Sequence, residues 1–117
     1  MNNLPKQESI FKALADKNRI RILKMLQNKS LCVCEITDTL KLAASTVSNH
    51  LKILTKTGLI ISFKEGKWIN YSINPHPENN LLSSVLLYLQ FVLEDDDTII
   101  KDRKAILKVD RNVLCGR

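Results

Sequence analysis

The chain has 117 residues, the commonest size for one domain, and is 44% apolar and 26% charged, the balance of a folded rather than a disordered protein. Lys and Arg number 18 against 12 Asp and Glu, giving a formal charge of +6 and a pI near 9.4. That balance excludes an acidic tail and points to nucleic acid or another anionic partner, while three glycines and three prolines exclude a collagenous or linker-rich chain.

Met1 to Glu8 is polar and carries no secretion-signal core, so a cytoplasmic location is expected. Ile10, Phe11 and Leu14 at helical spacing predict a short amphipathic helix from Glu8 to Leu14. Asp16 is a suitable N-cap for a second helix to Gln27. Ile20, Leu23, Met25 and Leu26 form its buried face, and Arg19, Arg21 and Lys24 point elsewhere. After the break at Asn28, Lys29 and Ser30, a helix is expected from Cys34 to Leu40, with Ile36 and Leu40 inward and Glu35 and Asp38 outward. Lys41 to Ala44 reads as a tight turn. Ser45 then caps a helix through Lys56, with Val47, Leu51 and Leu54 inward, and Gly58 ends it. Leu59 to Phe63 and Trp68 to Ile73 are β-rich runs joined by Lys64, Glu65, Gly66 and Lys67, a hairpin signal. The run Leu81 to Leu93 is too short to span a membrane, which takes roughly 20 residues, and reads as part of a buried helix from Asn80. Asp95, Asp96 and Asp97 offer an N-cap for a last helix, Thr98 to Leu107, followed by a frayed tail to Arg117.

Charge is unevenly spread: the first 75 residues hold 12 Lys and Arg against 5 Asp and Glu, the remainder 6 against 7. The polyanion-facing surface therefore belongs to the first two thirds. Two short helices joined by a tight turn and followed by a basic hairpin form a winged helix-turn-helix, a mainly α fold with a small β-hairpin. One domain is expected over 1–117, with the helix-turn-helix at 34–56 and the wing at 59–73. A helix enters the major groove and reads base edges with its N-terminal residues. Ser45, Thr46, Ser48, Asn49 and His50 occupy that end, and Asn49 has the bidentate chemistry for adenine. Lys52, Lys56, Lys64 and Lys67 suit flanking phosphates. For His50 the alternative is a buried, hydrogen-bonded histidine.

Leu14 to Leu23 (LADKNRIRIL), Leu31 to Ile36 (LCVCEI), Ser45 to Leu54 (STVSNHLKIL) and Gly66 to Ile73 (GKWINYSI) together resemble the ArsR/SmtB family of metal-responsive repressors. The resemblance spans about Ile10 to Pro75. It implies a homodimer that occupies double-stranded operator DNA, an imperfect inverted repeat, without any cofactor and leaves it on binding an effector. It also implies that helices 8–14 and 80–107 supply the dimer interface. The chain departs from the family in having Asn49 where arginine is frequent and Lys41 where glycine is common.

Within that resemblance, Cys32 and Cys34 look like the thiolate box of the arsenic, antimony, cadmium and lead sensors. Soft ions prefer sulfur, and a helix N-terminus favours the thiolate. On one regular helix the two residues would point about 200° apart, so shared ligation is expected to unwind the helix start. Family members place a third cysteine where this chain has Thr37. Cys115 is the only other thiol and is the candidate third ligand, from the same or the other subunit, the alternative being two cysteines with an exogenous ligand. Leu81 to Leu107 contains no histidine for the family's zinc site, and no cysteine precedes Cys32 as in the cadmium and lead version. As(III) or Sb(III) is therefore the expected effector; a thiol-redox or Cd/Pb response of the same fold is the alternative. An enzyme is not expected, since the chain lacks a Cys-x-x-Cys, a nucleophile–base–acid set and a Gly-rich phosphate loop.

Overall fold

The computed structural model describes residues 3–110. The elements run α1 (Leu4–Leu14), α2 (Lys17–Leu26), β1 (Leu31–Cys32), α3 (Val33–Leu40), α4 (Ala44–Thr57), β2 (Ile60–Glu65), β3 (Trp68–Ile73), α5 (Asn80–Phe91) and α6 (Asp97–Ile106). Helix ends follow local chemistry. Asn3, Asp16, Asn79 and Asp96 each accept a backbone N–H from the first turn of the helix they precede. Gly58 closes α4 at φ 90, the left-handed conformation that favours glycine, and a Cβ there would press on Leu82 Cδ1 at 3.0 Å.

Ser45 is not the cap of α4. The helix begins two residues earlier than that cap would set, at Ala44; the N-cap is Ala43 and no side chain caps it, which leaves the Ser45 hydroxyl in the exposed first turn. Lys41 ends α3 in the left-handed conformation at φ 59, the geometry that favours glycine.

The strand β1 is a departure from the expected plain hairpin. Leu31 pairs with Tyr71 and Cys32 with Asn70, both antiparallel, giving a three-stranded sheet of order β1-β3-β2. Two residues are too few to show a two-residue period in sequence, and only the partner strand makes them a strand. At the hairpin end Glu65 opposes Trp68, and Gly66 takes φ 61 in the two-residue turn.

One apolar core joins Ile10 and Ala13 of α1, Ile22, Leu23, Met25 and Leu26 of α2, Ile36, Val47, Leu51 and Leu54 of the two following helices, and Leu82 and Leu89 of α5. The α3–turn–α4 unit packs against this core with the β2–β3 hairpin beside it, a winged helix-turn-helix. Three expectations fail inside this packing. Lys24 is 1% exposed; its Nζ donates to Leu89 O at 2.6 Å and pairs with Glu94 at 2.5 Å, so an ammonium occupies the junction of α2, α5 and α6. Glu35 is buried because its Oε1 accepts the Cys32 N–H at 2.9 Å, the carboxylate half of a capping box. Helix α5 is buried on one face only: Leu82, Val85 and Leu89 lie in the core, while Leu87, Tyr88 and Phe91 are exposed, Phe91 to 74%.

Around Lys24 the polar groups interlock. Arg103 bonds both Glu94 oxygens at 2.9 and 3.0 Å and Gln27 at 2.9 Å, while Gln27 donates to Leu89 O at 3.0 Å. Arg21 forks onto Asp102 at 2.8 and 2.9 Å, tying α2 to α6. Arg103 first, and Lys24 second, hold the Glu94 carboxyl down to about 2 from an ordinary 4.5. A depressed folded-state pKa contributes stability above the unfolded value and loses it as pH falls through the folded one. Glu94→Gln should therefore flatten the fall in thermal midpoint between about pH 4.5 and 2, and lower the midpoint at neutral pH by leaving Lys24 without its carboxylate. Lys24→Met should be milder, because Glu94 keeps Arg103 and Leu89 O keeps Gln27; scanning calorimetry across pH reads both.

Candidate nucleic-acid interface and thiol site

The first exposed turns of α4 carry Ser45, Thr46, Ser48 and Asn49, followed by Lys52 and Lys56 one and two turns on, all solvent-exposed. Val47, Leu51 and Leu54 fix the opposite face in the core, so helical periodicity alone aims the polar row outward. Lys64 and Lys67 stand exposed at the hairpin end, with Lys67 Nζ 5.0 Å from the centroid of the Trp68 ring. Among the described residues, none of Lys52, Lys56, Lys64 and Lys67 is in a salt bridge, which leaves their charge for an external anion.

His50 does not share that exposed row. It is 8% exposed, and Arg19 Nη1 lies 3.2 Å from its Nδ1. Since guanidinium only donates, this contact takes the Nδ1 lone pair. The same guanidinium donates from Nε to Ala13 O at 2.7 Å and from Nη2 to Lys12 O at 3.1 Å. Arg19 thus fastens the end of α1 and the back of α4 to the start of α2. The structure corrects His50 from groove residue to buried anchor of the reading helix. Arg19 is the positioning residue that sequence reasoning missed; the only hint was a cation just after the Asp16 cap.

The two cysteines lie at the junction of β1 and α3. Cys32 is the second residue of β1 and at once the N-cap of α3, with extended φ −93 and ψ 169; it is buried. Cys34 is the second helical residue and half-buried. The expected opposition of two side chains on one helix therefore does not arise, because the first of them is not helical. Thr37 follows Cys34 by one turn on the same face, and its Oγ1 is a buried oxygen without a hydrogen-bond partner. Two sulfurs and one hydroxyl thus lie within six residues along the chain at the start of α3. Among the described residues no three His, Cys, Asp or Glu side chains form a metal cluster. Cys115 lies outside the described residues.

Beyond the interface, α1 and α5 border an apolar groove of about 630 Å³ lined in part by Phe11, Leu14, Leu81, Val85, Tyr88 and Leu89. No helix among the described residues is long and apolar enough to cross a membrane.

Residues 16–62 match the family described as "Bacterial regulatory protein, arsR family". The chain is 47% identical over 74 residues to an uncharacterized HTH-type transcriptional regulator of Methanocaldococcus jannaschii, covering 62% of this chain and 83% of that one. It is 40% identical over 84 residues to the arsenical resistance operon repressor of Bacillus subtilis, covering 71% and 80%. The solved structure of HlyU from Vibrio cholerae superposes with a TM-score of 0.61 at 29% identity, covering 74% of this chain and 89% of that one. The family match, the curated relatives and the winged helix-turn-helix architecture together place the chain in the ArsR family of DNA-binding transcriptional regulators.

Proposed function

We propose that this protein is a homodimeric, cytoplasmic repressor of a metalloid-resistance operon, released from its operator when As(III) or Sb(III) binds Cys32 and Cys34. It acts by binding and not by catalysis, and needs no cofactor to hold DNA. The observation that carries the reading is the placement of both sulfurs at the entrance to α3, which packs directly on α4. Its similarity to a repressor of arsenical resistance supports the choice of effector. Arsenite enters as As(OH)₃; each thiol that forms an S–As bond replaces one hydroxyl, which leaves as water with the thiol proton. Cys115, from either subunit, or an exogenous ligand would complete the shell.

Because Cys32 is both strand and cap, ligation acts on two sets of contacts. Drawing its sulfur toward Cys34 strains the β1–β3 pairing and the Glu35 cap together, so the start of α3 need not unwind by a full turn. Moving the binding equilibrium from 99:1 to 1:99 takes about 5.5 kcal/mol of differential affinity, within reach of metal–thiolate bonding. Fluorescence anisotropy on operator DNA under anaerobic, reducing conditions tests this. Arsenite should release the wild type, and Cys32→Ser should stay bound while keeping its arsenite-free affinity. Release that requires an oxidant would instead support thiol-redox sensing, and release by cadmium but not arsenite a cadmium response.

DNA contact falls to Ser45, Thr46, Ser48, Asn49, Lys52 and Lys56 on α4 and to Lys64 and Lys67 on the wing. The absence of a side-chain cap on α4 leaves first-turn N–H groups for a phosphate. A dimer touching 6–10 phosphates should lose roughly 10³–10⁵ in affinity between about 50 and 200 mM salt. Removing Lys64 or Lys67 from both subunits should weaken binding similarly for all sequences and lower the salt slope by about 1 per contact. Asn49→Ala should instead relax preference at one base pair of each half-site.

The exposed apolar face of α1 and α5 is the dimer interface in this reading, since Phe11, Tyr88 and Phe91 would otherwise stand in water. Phe91→Asp should yield a folded monomer by sedimentation equilibrium. Its operator affinity should fall by at least about 10²-fold, as each monomer reaches only one half-site.

A further inference from the structure

Lys41 is held in a conformation that its residue type does not favour. It follows α3 at φ 59 and ψ 40, the left-handed region in which a Cβ crowds the next carbonyl. The fold imposes this from both sides. The Lys41 N–H donates to Thr37 O at 2.9 Å, closing α3, and half-buried Leu42 packs on the core. The chain then runs extended through Ala43, at φ −64 and ψ 146, into α4. Glycine would meet the same geometry without strain, so a lysine here costs stability that its packing does not return. Its side chain is 78% exposed, and its ionic partner among the described residues is Asp38 at 3.6 Å, beyond hydrogen-bond reach and itself exposed.

What the position supplies is a charge in a particular place. Lys41 is the only Lys or Arg between Lys29 and Lys52. It stands just before the exposed run Ala43 to Thr46 with which α4 begins. Lys52 and Lys56 lie about 12 and 18 Å along that helix from its first residue, at roughly 1.5 Å per residue. The major groove is about 12 Å wide between its phosphate ridges. A helix that enters by its first turn therefore carries Lys52 and Lys56 toward one ridge and the turn ahead of Ala44 toward the other. On that leading side no other cation precedes the reading residues. We propose that Lys41 is a DNA-backbone contact that grips the ridge opposite Lys52 and Lys56, which rests on the reading that α4 enters the major groove by its first turn. The ammonium exchanges its loose pairing with Asp38 for a phosphate oxygen and releases a counterion. Because the turn is fixed at Thr37 O and Leu42, the charge is in place before contact. A phosphate contact sets register and carries no sequence preference of its own.

The test compares wild type, Lys41→Gly, Lys41→Asn and Lys41→Arg, with Lys52→Ala as reference. Anisotropy is read without arsenite, between about 50 and 200 mM salt, on a duplex that the wild type has selected from a random pool. Lys41→Gly and Lys41→Asn should lower the salt slope by about 2, from roughly 0.9 for each of two subunits, and raise Kd at least about tenfold near 100 mM salt. Lys41→Arg should keep both. The thermal midpoint of Lys41→Gly should rise by about 2–5 °C as the strain is relieved. A tighter fold with weaker binding is a combination that a merely structural turn residue does not produce. Lys41→Gly and Lys41→Asn that keep the wild-type slope and Kd, or a loss shared by Lys41→Arg, would overturn the contact. If Lys41→Gly fails to fold, Lys41→Asn carries the test, since asparagine tolerates the left-handed region. A slope lowered by Lys52→Ala and not by the neutral Lys41 variants sinks this contact alone. If neither position changes the slope, the groove-entry reading falls with it.

Discussion

The backbone of Cys32 belongs to two hydrogen-bonded systems at once, and the functional half of the molecule is organised around that double membership. As the second residue of β1 it is paired with Asn70 of the wing strand. As the N-cap of α3 it donates its N–H to Glu35. A residue so placed cannot be displaced without loosening either the sheet that carries the wing or the helix that supports α4. A displacement of its side chain therefore bears on both the sheet that carries the β2–β3 hairpin and the helix that packs on α4.

The reading helix is held from behind by a second polar arrangement, in which Arg19 takes two carbonyls at the end of α1 and approaches His50 on the buried face of α4. A helix fixed by apolar contacts alone can slide or rotate by small steps with little change in energy. Directional bonds from one planar guanidinium restrict those motions. Lys24 does the same at the far side, where an ammonium on α2 joins the end of α5 to Glu94 ahead of α6. The core is thus tied on two sides by directional polar bonds.

Much of this was legible in the residues. Apolar spacing located all six helices, Asp16 capped α2, Gly58 closed α4, and the Gly66 turn joined two strands. Each of these depends on neighbours within a few residues, which is why local pattern suffices. The exposed row on α4 and the wing lysines followed from the same periodicity. What was misread depends on contacts or chain geometry that periodicity does not encode. Lys24 and Glu35 were expected outside because charged side chains are rarely buried unless paired, and their partners are a residue 70 positions away and a capped backbone N–H. Ser45 has the chemistry of a cap, yet the cap position of α4 lies two residues earlier, at Ala43. His50 offered two readings that only the approach of Arg19, 31 residues distant, could separate.

The sequence by itself determined the class of fold, the polarity of the DNA-facing helix and wing, and the presence of a sulfur pair, because these reside in period, composition and short motifs. Only the tertiary structure decided that the pair straddles a strand and a helix, that Asn70 lies across from it, and which charges are buried. Those facts depend on pairing between segments about forty residues apart, and strand register is chosen by the whole sheet and the core beneath it.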